Sequence, residues 1–281
     1  MDKQIIKLEK YIDGYKIVNV LKTVPDGSNI VLLVVQHNKK YVVKLLFLNK
    51  VHNVNIKKNM ITEIQTYQYI DNNFADYPFF VKMNGIVDRK NIQGVILEYV
   101  TGKPLIDYKH KKMNAKWWRS LLKQLIITSY IFEQHAILHN DFWDANFIVH
   151  PISVSKQIEI YVPELGKVSI NNAGFILKIF DFQYTHQYSK KSKIVSPMIM
   201  SKKMTDQNEK KRLGWHDKFH TGGDLNQILG LLSEYDSIPN KFRKYINKYV
   251  YKTSDSDFEF ATQYANRHFN PQYLLKQWSL I

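Results

Sequence analysis

Within residues 137–150, ILHNDFWDANFIVH, His139, Asp141 and Asn146 fall in the pattern H-x-D-x-x-x-x-N, followed by the apolar run Phe147, Ile148 and Val149. Transfer of a phosphoryl group needs a carboxylate that orients the attacking hydroxyl and accepts its proton. It also needs a neutral oxygen ligand nearby for a phosphate-bound metal ion. Asp141 and Asn146 offer both from one short loop, which fixes their separation. Alone the pattern has low specificity, so its meaning depends on whether the other parts of such a site occur in order.

They do. Residues 41–46, YVVKLL, form a β-branched apolar run with Lys44 inside it. A lysine in a strand ordinarily marks an edge or a solvated face, but from here it can reach the phosphates of a nucleotide. Glu63 sits in MITEIQTYQYI, where apolar residues at 60, 61, 64, 67 and 70 recur at helical spacing. Its neighbours Ile61 and Ile64 predict that Glu63 lies near the core, where its carboxylate can pair with Lys44 and hold it. Residues 175–182, FILKIFDF, read as a strand ending in Asp181, a second candidate metal ligand.

On these residues the chain resembles the protein-kinase superfamily over about residues 15–232. Lys44 stands where the third-strand lysine would be and Glu63 where its helix-borne partner would be. Asp141 matches the catalytic base, Asn146 the metal-binding Asn, and Asp181 the metal-binding Asp of the D-F-G motif. Residues 95–102, VILEYVTG, look like the last strand of the N-terminal lobe entering the hinge that binds adenine, with Glu98 and Val100 as nucleotide contacts. Residues 223–230, GDLNQILG, look like the helix whose Asp224 braces the catalytic loop. The resemblance implies an α+β, bilobal kinase-like fold as one domain over 1–281. Its N-lobe would span about 1–97, with an antiparallel sheet and one helix, its hinge about 98–103, and a mainly helical C-lobe about 104–281. It implies ATP with Mg²⁺ or Mn²⁺, and for His139 a structural bond to the backbone beside Asp181.

The departures from the family pattern narrow the branch. Asn140 replaces the Arg that reads activation-loop phosphorylation, Gln183 replaces the glycine of D-F-G, and no Ala-Pro-Glu follows. Trp143 stands where Ser/Thr kinases carry a lysine, and Asp144 is either an extra contact or a turn residue. Only Gly27, in TVPDGSN, stands where a glycine-rich loop would cover the phosphates. Asn146 and Asp181 are much further apart than in ordinary kinases, and the excess, about 153–172, reads as an insertion between two strands. The chain is thus similar to divergent kinases of large DNA viruses, the poxvirus virion-morphogenesis kinase among them, and to haspin-type atypical kinases. The expected activity is Ser/Thr protein phosphorylation. Two rivals are a small-molecule kinase of the aminoglycoside or choline type, disfavoured by Gln183, and a pseudokinase scaffold.

A formal charge of +15 and a pI near 9.6 favour acidic partners. Basic clusters fall at 109–112, 190–193, 202–203, 210–212 and 241–248, three of them in or beside the expected activation segment. They are either a solvated face or a reader of acidic flanks on a protein substrate. Nucleic acid is less favoured because no recognised binding module is present. With no Cys, disulfides, thiolate zinc sites and thiol nucleophiles are excluded. The longest aliphatic run, 30–35, is far too short to span a bilayer. With no signal-peptide pattern, a cytoplasmic location (host cytoplasm or virion) is expected.

Strands are predicted at 15–20, 30–36, 41–46, 81–87 and 93–97, and a helix at 57–71. A long helix from Ala115 delivers the chain to the catalytic loop. Further helices are predicted at 225–232, 241–251 and 258–268.

Overall fold

A computed structural model describes residues 12–51, 54–154, 158–162, 164–170, 172–188, 222–249 and 271–276. The predicted helix at 258–268 and the basic clusters at 190–193, 202–203 and 210–212 lie outside the described residues. The chain divides into two units, Met1–Ala75 with Phe80–Val100, and Asp76–Phe79 with Thr101–Ile281.

Strand alternation organises the first unit. Strands β1 (Lys16–Thr23), β2 (Asn29–Gln36), β3 (Lys39–Phe47), β4 (Met83–Arg89) and β5 (Ile92–Glu98) form one antiparallel sheet in the order β1-β2-β3-β5-β4. The β2–β3 turn has two residues, His37 and Asn38, both at positive φ, as a hairpin that follows the sheet twist requires. Val43 and Leu45 bury one face of β3 with Ile17, Leu32, Val34 and Ile96. The period of two then sends Lys44 and Leu46 to the opposite face, where Leu46 packs with Met60 of helix α1 (Val54–Asn73). Gly94 on β5 permits the close approach of β3: a Cβ there would collide with the carbonyl oxygen of Lys44.

In the second unit helix α2 (Ala115–Gln134) is capped by Asn114, whose Oδ1 accepts Trp117 N–H at 2.9 Å. Its residues are buried almost all round between Trp117 and Phe132, so it is the central element of that unit's core. The chain then runs through β7 (Ile137–Leu138), a 3₁₀ turn (Asp144–Asn146) and β8 (Phe147–Pro151). Strand β8 lies between β6 (Lys103–Pro104) and β11 (Phe175–Ile179) in an antiparallel sheet. The insertion between β8 and β11 forms a hairpin of β9 (Ile158–Val162) and β10 (Gly166–Ile170). Strand β12 (His186–Gln187) pairs with β7, and helices α3 (Gly223–Leu232), α4 (Asn240–Tyr249) and α5 (Pro271–Lys276) follow. The fold is α+β with an antiparallel N-terminal sheet, consistent with a kinase-like fold.

Fully buried Gln124 locks α2 to β11. Its Oε1 accepts Leu177 N–H at 2.7 Å while its Nε2 donates to Phe175 O at 3.4 Å, so the amide stands in for a neighbouring strand. The inserted hairpin is docked as well. Lys123 Nζ donates to Ser169 O at 2.6 Å, and Tyr130 Oη and Gln272 Nε2 both donate to Glu164 at the hairpin turn. No helix among the described residues is long and apolar enough to cross a membrane.

Candidate active site

Lys44 and Glu63 meet in the first unit. Lys44 Nζ lies 2.7 Å from Glu63 Oε2, with the side chains 13% and 2% exposed. The strand supplies the lysine on its helix-facing side, and α1 supplies the carboxylate on the face that carries Met60, Tyr67 and Ile70. Ile61, expected to mark a buried face beside Glu63, is instead 42% exposed. The buried face of α1 carries Met60, Thr62, Glu63, Thr66, Tyr67 and Ile70, and Glu63 itself occupies a core position. A carboxylate in that place is costly unless paired, and Lys44 is its partner.

Gly27 sits in the β1–β2 turn at φ 64, its N–H bonded to Val24 O at 2.8 Å. Beside it Asp26 Oδ1 accepts Ser28 N–H at 2.8 Å, a bond that holds the exposed Asp26 carboxyl below its ordinary range. Glu98 closes β5: its N–H bonds Lys82 O at 2.9 Å and its Oε1 accepts Lys82 N–H at 3.1 Å. Val100, the last residue of that unit, is partly exposed.

Asp141, Asn146 and Asp181 are brought together in the second unit. Asn146 Nδ2 donates to Asp141 Oδ2 at 2.8 Å and to Asp141 O at 2.9 Å. Both partners are acceptors, so the amide must present its NH₂ end to them, and Oδ1 becomes its ligand end. Phe180, the residue before Asp181, is gripped at both backbone groups. Its N–H donates to Asn146 O at 3.2 Å and its carbonyl lies 3.2 Å from His139 Nε2. That grip fixes where Asp181 begins, and Asp181 itself is left-handed at φ 65. Non-glycine residues in that region are uncommon and cluster at functional sites.

His139 is fully buried, and burial drives its pKa down to about 4. The neutral ring accepts Asp141 N–H at Nδ1, 3.2 Å, so its proton resides on Nε2 and points at Phe180 O. One imidazole therefore couples the backbone of Asp141 to the residue before Asp181. Asp224, at the start of α3, accepts His139 N–H at 2.7 Å and Asn140 N–H at 2.9 Å with its two oxygens. Burial pushes its carboxyl up to about 7, against the opposing pull of these two bonds. Gln227, one turn on, accepts Phe142 N–H at 2.9 Å.

The sequence reading did not single out Gln227 or Glu133, and neither has a spacing signal of its own. Glu133 Oε1 accepts Gly222 N–H at 2.5 Å, and burial raises its carboxyl well above the ordinary range. Asp144 proves to be a buried anchor: Tyr235 Oη lies 2.9 Å from its Oδ2 and 3.1 Å from Leu105 O. Burial raises the Tyr235 phenol, so it remains a donor there.

Among the described residues no group of three or more His, Cys, Asp or Glu could hold a metal ion. One amide oxygen and one carboxylate nevertheless fit a hard divalent cation that keeps several waters and takes other oxygens from phosphates. No protein-family model matches the chain. Over 177 residues, 62% of this chain, it is 28% identical to serine/threonine-protein kinase 1 of Heliothis zea nuclear polyhedrosis virus. The match covers 61% of that relative's length. With the α+β fold and the antiparallel N-terminal sheet, this similarity supports a kinase-like relationship for the chain.

Proposed function

We propose that the protein is an ATP- and Mg²⁺-dependent phosphotransferase, a Ser/Thr protein kinase of the divergent type found in large DNA viruses. The observation that carries the reading is the Asp141–Asn146 hydrogen bond at 2.8 Å, which aims a carboxylate and an amide oxygen from one braced loop. Asp141 orients the acceptor hydroxyl and takes its proton. Asn146 and Asp181 would hold the divalent cation, which on binding neutralises phosphate charge. Lys44, held by Glu63, contacts the α- and β-phosphates, and Gly27, Glu98 and Val100 line the nucleotide. Trp143 brings no charge to the transferred phosphoryl group, so Lys44 and the cation carry that task. The neutral His139 organises the loop and does no proton transfer. The substrate is a protein, with acidic flanks favoured by the net charge of +15.

A thermal-shift titration with ATP, with and without Mg²⁺, tests the assignment of the metal ligands. The wild type should gain stability from ATP only when Mg²⁺ is present, and Asp181→Asn should lose most of that gain. A wild type indifferent to Mg²⁺ would instead support a pseudokinase.

A further inference from the structure

The resemblance leaves Asn140 without a role, since it occupies the place of an arginine that would clamp a phosphorylated loop. In the structure it is 2% exposed and sits at φ 60, a conformation that Asn tolerates better than most residues. Its N–H is held by Asp224. Its Nδ2 donates to Tyr184 O at 3.1 Å and, more weakly, to Leu138 O at 3.5 Å. Its Oδ1 is buried with no hydrogen-bond partner, so the donor end alone sets the place of the amide.

Tyr184 begins a segment that is bound to the catalytic-loop approach along its length. Leu138 pairs with His186 and Ile137 with Gln187, and Tyr188 N–H donates to Ala136 O at 2.7 Å. Thr185 N–H turns back to Phe182 O at 3.1 Å. The Asn140 amide closes this ladder at the end nearest Asp141, three residues beyond Asp181. No charged group takes part in these bonds, and no phosphate is needed to complete them.

We propose that Asn140 is a positioning residue: its amide ties the loop bearing Asp141 to the chain just after Asp181, so that both stand in their working arrangement without phosphorylation. The proposal rests on the reading of Asp141 and Asp181 given above. It turns the replaced arginine from a missing switch into a permanent neutral clamp.

Asn140→Gly isolates the amide, because glycine adopts positive φ without strain. Asn140→Asp retains shape and conformation but turns an oxygen towards Tyr184 O. Both variants should lower kcat about 10- to 100-fold through misplacement of the reacting groups, with KM for ATP unchanged. Both should also speed exchange of the Tyr188 amide in hydrogen–deuterium measurements. Phosphatase-treated wild type should retain its kcat and its Tyr188 protection. Wild-type kcat in Asn140→Gly with full Tyr188 protection would overturn the proposal, as would loss of both properties on dephosphorylation. A wild type that transfers no phosphate would overturn the reading of the site instead, and the Tyr188 exchange rate would then decide the tether by itself.

Discussion

Lys44 Nζ stands 2.7 Å from Glu63 Oε2, and the Glu63 side chain is 2% exposed. Breaking such a pair from one side leaves the other charge buried and uncompensated. Lys44→Met and Glu63→Gln should therefore each destabilise the fold, by about 3–5 kcal/mol. The double variant should cost clearly less than the two together. Urea unfolding of the four proteins gives the coupling directly, and additive losses would mean that the pair contributes nothing.

The buried acids and the buried histidine around the loop of Asp141 and Asn146 give stability opposite dependences on pH. Asp224 is raised to about 7 in the fold, so between about pH 4 and 7 the folded state retains a proton that the unfolded state has released. Its contribution falls as pH rises through that window. Glu133 acts in the same direction. His139, lowered to about 4, contributes stability that is present above about 6.5 and lost as pH falls towards 4. Asp224→Asn should therefore flatten the fall with rising pH, and His139→Gln should steepen it. Denaturant unfolding from pH 5 to 8 reads both slopes, and parallel curves for wild type and Asp224→Asn would contradict the assignment.

The inserted hairpin depends on two long side chains from α2. Lys123→Met removes the donor to Ser169 O, and Tyr130→Phe removes the donor to Glu164. Each should cost about 1 kcal/mol, and amide exchange in 158–170 should quicken while α1 and the N-terminal sheet stay protected. Equal protection of β9 and β10 in both variants would show that packing alone docks the hairpin.

The elements with strong periodicity were legible in the sequence. Strand β3 and helix α1 declare themselves through alternation and helical spacing, and the Lys44–Glu63 pairing followed from placing them together. The insertion at 153–172 was read only as extra length, although the alternation of Ile158, Ile160 and Val162 with Glu159 and Tyr161 carries a strand signal; its docking on Lys123, Tyr130 and Gln272 leaves no such trace. Asp224 was readable as a brace, whereas Gln124, Glu133 and Gln227 were not. Their roles rest on hydrogen bonds to backbone groups distant in sequence, which leave no periodic trace. Ile61 misled for a related reason: its apolar character suggested burial, yet the packed face of α1 is centred on Glu63. Asn140 could be read only as a lost arginine until its amide was placed against Tyr184 O.

Incubation with labelled ATP, Mg²⁺ and a mixture of acidic and basic proteins decides whether the loop of Asp141 and Asn146 transfers phosphate as proposed. The wild type should label protein. Asp141→Asn should be slower by about 10²–10⁴-fold while its ATP affinity stays nearly unchanged, since the role proposed for the carboxylate is on the acceptor hydroxyl. Equal labelling by Asp141→Asn and wild type would contradict the role given to Asp141. Labelling of a small alcohol with no protein labelled would move the activity to small-molecule phosphotransfer, and no transfer to any acceptor would contradict the proposed activity itself.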